Sequence, residues 1–125
     1  MKESLREIFE SWNDTLIWSC LQGIMGEIHM NSTEDAAVAI LGDFAFFAGN
    51  PSEELVRWKS ENCRQDFMIM VPQNDEWAKL IEACFGDKAR KVTRYATKKK
   101  QNVFDVSKLE SAVSDLSEDY QLKML

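Results

Sequence analysis

From Ala36 to Ala48 the chain is apolar at every position except the pair Gly42-Asp43. A run of this composition is strand or core material, and Ala36–Leu41 reads as a strand that Phe44-Ala45-Phe46-Phe47 continues beyond the break. Gly42-Asp43 fits two arrangements, a two-residue hairpin with glycine first or a bulge in one long strand. The run is too short to span a bilayer, and Met1-Lys2-Glu3 lacks a signal-peptide pattern, so neither membrane insertion nor export is expected.

Helical and strand patterns alternate around this run. Ser4 and Glu7 form a capping box, and Leu5, Ile8, Phe9 and Trp12 recur at helical spacing, which predicts a helix over 4–12. Asn13-Asp14-Thr15 stops it and is placed to cap a second segment, Leu16 to Gln22; Leu16, Trp18 and Cys20 also alternate as a strand would, and a short helix ending at Gly23 is the favoured of the two readings. Glu27 to Asn31 reads as a strand, joined to Ala36–Leu41 by the polar turn Asn31-Ser32-Thr33-Glu34-Asp35. Asn50-Pro51-Ser52-Glu53 opens a helix from about Pro51 to Lys59. Phe67 to Val71 is unbroken in hydrophobicity, the mark of a strand covered on both faces, and is the candidate central strand.

Asn74 or Asp75 caps a helix carrying Trp77, Leu80, Ile81 and Cys84 on one face, with Gly86 placed to end it. Val92 to Thr97 is β-branched and aromatic enough for a strand. Ser107-Lys108-Leu109-Glu110 opens a last helix whose buried face is Leu109, Ala112, Val113 and Leu116. Tyr120 to Leu125 alternates like a strand and then stops, which suggests that more chain follows. The sum is an α/β (α+β) domain over 1–125: a mixed, largely antiparallel sheet of about five strands flanked by helices. At 125 residues one core is the expectation.

Charge narrows the function classes. The formal net charge is -6, which argues against general binding to nucleic acid or anionic membranes. Residues 1–85 hold 15 acidic and 6 basic residues, whereas 86–125 hold 6 acidic and 9 basic. Seven of those bases, Lys88, Arg90, Lys91, Arg94, Lys98, Lys99 and Lys100, form a segment without an acid. That segment is either a solvated edge strand guarded by lysines or an anion site, with Arg90, Arg94 and Lys98 as contacts and Tyr95 available for stacking. The second reading makes the chain a non-catalytic module for an acidic partner or nucleotide.

Other constellations are sparse. Cys20, Cys63 and Cys84 are odd in number and widely spaced, which fits a reducing cytoplasm and no disulfide framework. With His29 as the one histidine, paired metal-ligand spacing is missing and no metal is expected. A nucleophile, base and orienter drawn from Cys20, His29 and Asp43 has no support in spacing. Asp43 is a turn aspartate if 42–43 is a hairpin, and a carboxylate in an apolar setting, suited to general-base work, if 36–47 is one strand. Asp66 shares that ambiguity.

Four runs carry a resemblance. Trp12-Asn-Asp-Thr-Leu-Ile-Trp-Ser-Cys-Leu-Gln-Gly-Ile-Met-Gly26, Leu41-Gly-Asp-Phe-Ala-Phe-Phe-Ala-Gly49, Gln65-Asp-Phe-Met-Ile-Met-Val-Pro-Gln73 and Lys91-Val-Thr-Arg-Tyr-Ala-Thr-Lys-Lys99 resemble the N-terminal half of a bacterial branch of the GNAT-type N-acetyltransferases. The resemblance implies a degenerate GNAT-like lobe, with a C-terminal GNAT lobe or second subunit as partner. It implies acetyl-CoA as co-substrate of the complete enzyme and an amine as acceptor, attacked directly at the thioester. The family's acyl-CoA loop, (Q/R)-x-x-G-x-(G/A), opens a helix whose backbone N–H groups cradle the pyrophosphate. Here the residues three before Gly23, Gly26, Gly42, Gly49 and Gly86 are Cys20, Gly23, Ala39, Phe46 and Ala83, so none is Gln or Arg. The resemblance therefore implies an accessory or acceptor-side lobe that does not bind acetyl-CoA alone; no position matches a catalytic residue of the family, and Asp43 and Tyr95 are the candidates to test for a catalytic or acceptor-side role.

Overall fold

The structure, a computed structural model, describes residues 3–61 and 66–125. The chain divides into two compact units, Met1–Lys91 and Val92–Leu125. In the first, α1 (Glu3–Phe9) and α2 (Thr15–Leu21) precede three strands, β1 (Glu27–Met30), β2 (Ala36–Leu41) and β3 (Phe44–Gly49). Then come α3 (Glu53–Arg57), β4 (Ile69–Pro72), α4 (Asp75–Phe85) and a 3-10 turn over Gly86–Lys88. The sheet runs in the order β1-β2-β3-β4. The first two pairings are antiparallel and the third, β3 with β4, is parallel. This is the mixed, helix-flanked sheet expected, with four strands among the described residues in place of about five.

Leu41 pairs directly with Phe44, so Gly42-Asp43 is a two-residue hairpin and not a bulge. Gly42 sits at φ +57, whereas Asp43 is outside the left-handed region, which is the pattern of a turn with glycine first. Side chains alternate across a strand, and here both faces are covered. Val38, Ile40 and Phe47 pack with Leu55, Val56, Trp77 and Ile81 from α3 and α4. Ala37, Ala39 and Phe46 pack with Phe9, Ile17, Cys20 and Leu21 from α1 and α2. The small alanines let the helices approach on both sides, and β2 is buried along almost its whole length.

That arrangement corrects the expected centre. The Phe67 to Val71 run forms β4 from Ile69 onward, lies at the sheet edge, and is half-buried at each position. Its unbroken hydrophobicity comes from helical cover on both faces: Met68 and Met70 pack toward α3 and α4, Val71 toward α1 and α2. Cover of two faces does not require strands on two sides.

Helix ends follow local chemistry where a cap is present. Asp14 accepts from the Leu16 N–H at 2.9 Å, and Gly23 at φ +67 follows α2. Asn74 accepts from the Trp77 N–H at 3.1 Å, and Gly86 at φ +52 ends α4. Elsewhere the expected caps shift. Ser4 lies inside the first turn of α1 and not before it, and α1 ends at Phe9, after which Trp12 sets its ring edge-on against Phe46 at 5.7 Å. Helix α3 is shorter than Pro51 to Lys59: Ser52, not Asn50, stands at its N-cap, and Trp58 at ψ 136 has already left helical geometry.

The second unit holds one helix, α5 (Val106–Ser114), capped by Asp105 through the Lys108 N–H at 3.1 Å and not by Ser107. The expected buried face of this helix is exposed, Leu109 to 53% and Val113 to 52%. Neither Val92 to Thr97 nor Tyr120 to Leu125 forms a strand. Strand-forming residues become a strand only when a neighbour completes the ladder, and this unit contains no other strand to supply it.

Candidate functional site

The parallel pair β3 and β4 is connected through α3, so α3 begins at the carboxyl end of β3. In sheets of this type the crevice beyond the carboxyl ends of parallel strands is where ligands bind, and a helix start there favours anions. The β3–α3 turn is thus the first place to look.

The turn is built around Gly49. It closes β3 at φ +85, and a Cβ there would lie 2.4 Å from the Asp35 carbonyl oxygen and 2.8 Å from Ala36 Cα. Its N–H donates to Gln73 Oε1 at 3.0 Å, and its carbonyl accepts from the Trp77 indole Nε1 at 2.9 Å. Gln73 Nε2 in turn donates to the Ile8 carbonyl at 3.2 Å, tying α1 to the same knot. The Asn50 N–H donates to the Asp35 carbonyl at 3.0 Å, and Asn50 Nδ2 to Asp35 Oδ2 at 3.0 Å.

Asp35 belongs to the β1–β2 loop, which Asn31 organises. Asn31 is buried, and its Oδ1 accepts from the N–H groups of Asp35 and Ala36 at 3.2 and 3.1 Å. Its Nδ2 donates to Asp35 Oδ1 at 2.6 Å and to Thr33 Oγ1 at 2.7 Å, and the Thr33 hydroxyl donates in turn to Asp35 Oδ1. Hydrogen bonds from Thr33, Asn31 and Asn50 hold the Asp35 carboxyl at about 2, below its ordinary 3.8. A carboxyl lowered in this way adds stability above its ordinary range, and the contribution fades as pH falls toward 2. Glu54 Oε2 accepts from the Ser32 hydroxyl at 2.9 Å, so Glu53 and Glu54 in the first turn of α3 stand beside this loop. Asp75 and Glu76 open α4 after the carboxyl end of β4.

The residues picked out by sequence fall elsewhere. Asp43 sits in the β2–β3 hairpin, half-buried, with its carbonyl accepting from the Ile69 N–H at 2.7 Å. The whole of β3 lies between it and Gly49, about 20 Å of extended chain. Arg90 is exposed in the first unit, while Arg94, Tyr95 and Lys98 are exposed in the second. Lys91 reaches Glu82 at 3.9 Å, an exposed pair of small energetic weight.

Cys20 and His29 lie on opposite faces of the sheet, which rules out the Cys20–His29–Asp43 arrangement. Cys20 packs among Ala37 and Ala39, donates to the Ile40 carbonyl at 3.6 Å, and has its thiol pushed up by burial. His29 pairs with Val38 on the other face and stacks on Trp58, ring centroids 4.1 Å apart and planes within 6°. Trp58 also lines a cavity of about 260 Å³ on that face, with Val38, Ile40, Phe47, Met70 and Phe85 among its walls. Among the described residues no group of three or more His, Cys, Asp or Glu could hold a metal ion. No helix among them is long and apolar enough to cross a membrane.

A family model described as GNAT acetyltransferase matches residues 6–125. The chain belongs to the GNAT acetyltransferase family. No curated protein and no solved structure matches it. GNAT enzymes generally use acetyl-CoA, and the β3–α3 turn of this GNAT chain can be tested against that co-substrate's diphosphate. The turn residues offer it no free donor: the N–H groups of Gly49 and Asn50 are already engaged and Pro51 has none. The carboxylates of Asp35 and Glu54 stand beside the turn, and Glu53 is paired with Arg57 at 2.7 Å.

Sequence reading did not find this knot. Its one local signal was the density of Asn, Ser, Thr and Asp in 31–35, residues that bind backbone groups in turns. The partners Asn50, Gln73 and Trp77 become visible only once the strands are paired.

Proposed function

We propose that this GNAT-family chain is the accessory, acceptor-side lobe of a two-lobed bacterial N-acetyltransferase working in the cytoplasm. The acetyl-CoA diphosphate would be held by a second lobe or subunit, and the complete enzyme would transfer acetyl to an amine. The observation that carries the reading is the β3–α3 turn, whose donors serve Asp35 and Gln73. The unpaired cysteines Cys20 and Cys84 are consistent with the reducing compartment.

On this reading the chain by itself transfers no acetyl group from acetyl-CoA to any amine, within the range of ordinary enzyme turnover of about 1–1000 per second. A direct assay of free CoA release, with the 125-residue chain and a panel of primary amines, checks this. Turnover in that range by the isolated chain would overturn the reading. Asp43 and Tyr95 are carried as acceptor-side residues. Asp43→Asn or Tyr95→Phe in the two-lobed protein should lower turnover or acceptor affinity, and no change in either removes the role.

A second reading has one observation behind it. Residues 88–100 contain seven bases, no acid and no strand, and their charged side chains are exposed. A module binding an acidic partner through this segment would lose affinity steeply with salt, which an acetyltransferase lobe docking through apolar surface would not.

A further inference from the structure

We infer that the cavity on the α3–α4 face of the sheet is a binding site for one aromatic ring of a small molecule, the apolar end of the acceptor that this lobe would present. Its role rests on the accessory-lobe reading and its binding does not, so each can fail alone.

The cavity runs from the core to the surface. Among its walls Val38, Phe47 and Val56 are almost fully buried, whereas Arg57, Lys59 and Phe67 are exposed and form the rim. Its volume is about 260 Å³. An apolar cavity of about 150 Å³ already admits benzene, and pockets for drug-sized molecules begin at about 300 Å³. The space is that of one ring with a short side chain.

Wall chemistry selects a flat ring over an alkyl chain. Phe47, Trp58 and Phe85 supply aromatic surface, and Met68 and Met70 supply thioethers, which favour aromatic partners. Two of the rings are already set in place. Trp58 is stacked on His29 at 4.1 Å and Phe47 packs on Trp77 at 5.4 Å, which leaves little ordering for a ligand to impose. Water is a poor occupant, because it needs about two to four polar partners and, among the described residues, Ser60 is the one buried polar side chain in the walls. The rim carries both signs of charge: Lys59 and Asp66 are exposed, and Arg57 is held by Glu53 at 2.7 Å. Recognition therefore falls to the ring, with the polar end of the ligand left at the rim in water.

The test is methyl NMR of the methionine-labelled 125-residue chain, titrated with benzyl alcohol as an uncharged single ring. A ring seated in the cavity should shift the methyls of Met68 and Met70 saturably, with a Kd of about 0.1–1 mM. Met25 and Met124, which are exposed and do not line the cavity, should not move. Cyclohexylmethanol, similar in size but without a π-system, should bind about threefold more weakly or worse. Ala45→Leu, which fills the cavity from β3, should weaken benzyl alcohol by about tenfold or more. If that variant does not fold, Met68→Trp fills the space from β4's side and should have the same effect at the Met70 methyl. The inference is overturned by an absence of saturable shifts at Met68 and Met70, by equal shifts at Met25 and Met124, by equal affinity for the two alcohols, or by unchanged affinity in the filled variant. Each of those results leaves the accessory-lobe reading standing. Acetyl transfer by the chain alone would overturn that reading and leave the ring site in place.

Discussion

Gly49→Ala should destabilise the first unit by about 2–5 kcal/mol, the sum of a left-handed backbone that alanine resists and an overpacked contact with backbone atoms. The backbone term follows from φ +85, and the contact term from the 2.4 Å approach to the Asp35 carbonyl oxygen. Neither atom that Cβ would meet is the end of a flexible side chain, so relief requires β2 to shift against β3. Gly42 provides the control. It also has positive φ, +57, but nothing lies within 4 Å of the Cβ it would gain, so Gly42→Ala should cost about 1–2 kcal/mol at most. Urea unfolding of the two variants separates the terms. Equal losses at 42 and 49 would mean that the close approach at Gly49 contributes nothing.

The second large effect is expected at Trp77, which is fully buried and holds both halves of the core argument. Its ring packs on Phe47 at a centroid distance of 5.4 Å, and its indole N–H donates to the Gly49 carbonyl at 2.9 Å. Trp77→Ala removes both and should cost about 3–5 kcal/mol. Trp77→Phe keeps most of the apolar volume and withdraws the donor, for a loss of about 1–3 kcal/mol. Unfolding midpoints in urea distinguish these. If Trp77→Phe is neutral, the bond to Gly49 is not what ties α4 to the β3–α3 turn.

What the sequence made legible was what local chemistry decides. The helix over 16–22 and the cap at Asn74 rest on side chains bonding their own neighbours, the stop at Gly86 rests on a backbone of positive φ, and each appears within a residue of its expected place. The hairpin at Gly42-Asp43 was one of two open arrangements, and the register of β2 against β3 chose it. Errors arose where the answer depended on partners distant in sequence. Phe67 to Val71 looked central because its apolar residues alternate onto two covered faces, yet the cover is helical on both. Val92 to Thr97 has strand-forming residues, but a ladder needs a second strand. The α5 face of Leu109 and Val113 has helical periodicity, which describes amphipathicity and not what, if anything, covers it.

The same division holds for the site. The four runs that resemble GNAT acetyltransferases fall within the 6–125 match, so family membership was readable from the chain. The missing Gln or Arg before each glycine was readable too. The contact of Asp35 with Asn50 was not, because the two are 15 residues apart and meet only through the antiparallel pairing of Ala36 with Gly49. Asp43, the residue singled out by its apolar setting, owes that setting to a tight turn between two buried strands, at the other end of β3 from the knot.

The central claim is that this lobe holds no acetyl-CoA of its own, and isothermal calorimetry of acetyl-CoA against the 125-residue chain at two salt concentrations tests it most directly. The account predicts no binding tighter than about 1 mM at either salt. Micromolar binding would contradict it. Steep weakening of that binding with salt would place the phosphates on the basic segment 88–100, and salt-independent binding would place the ligand in apolar surface.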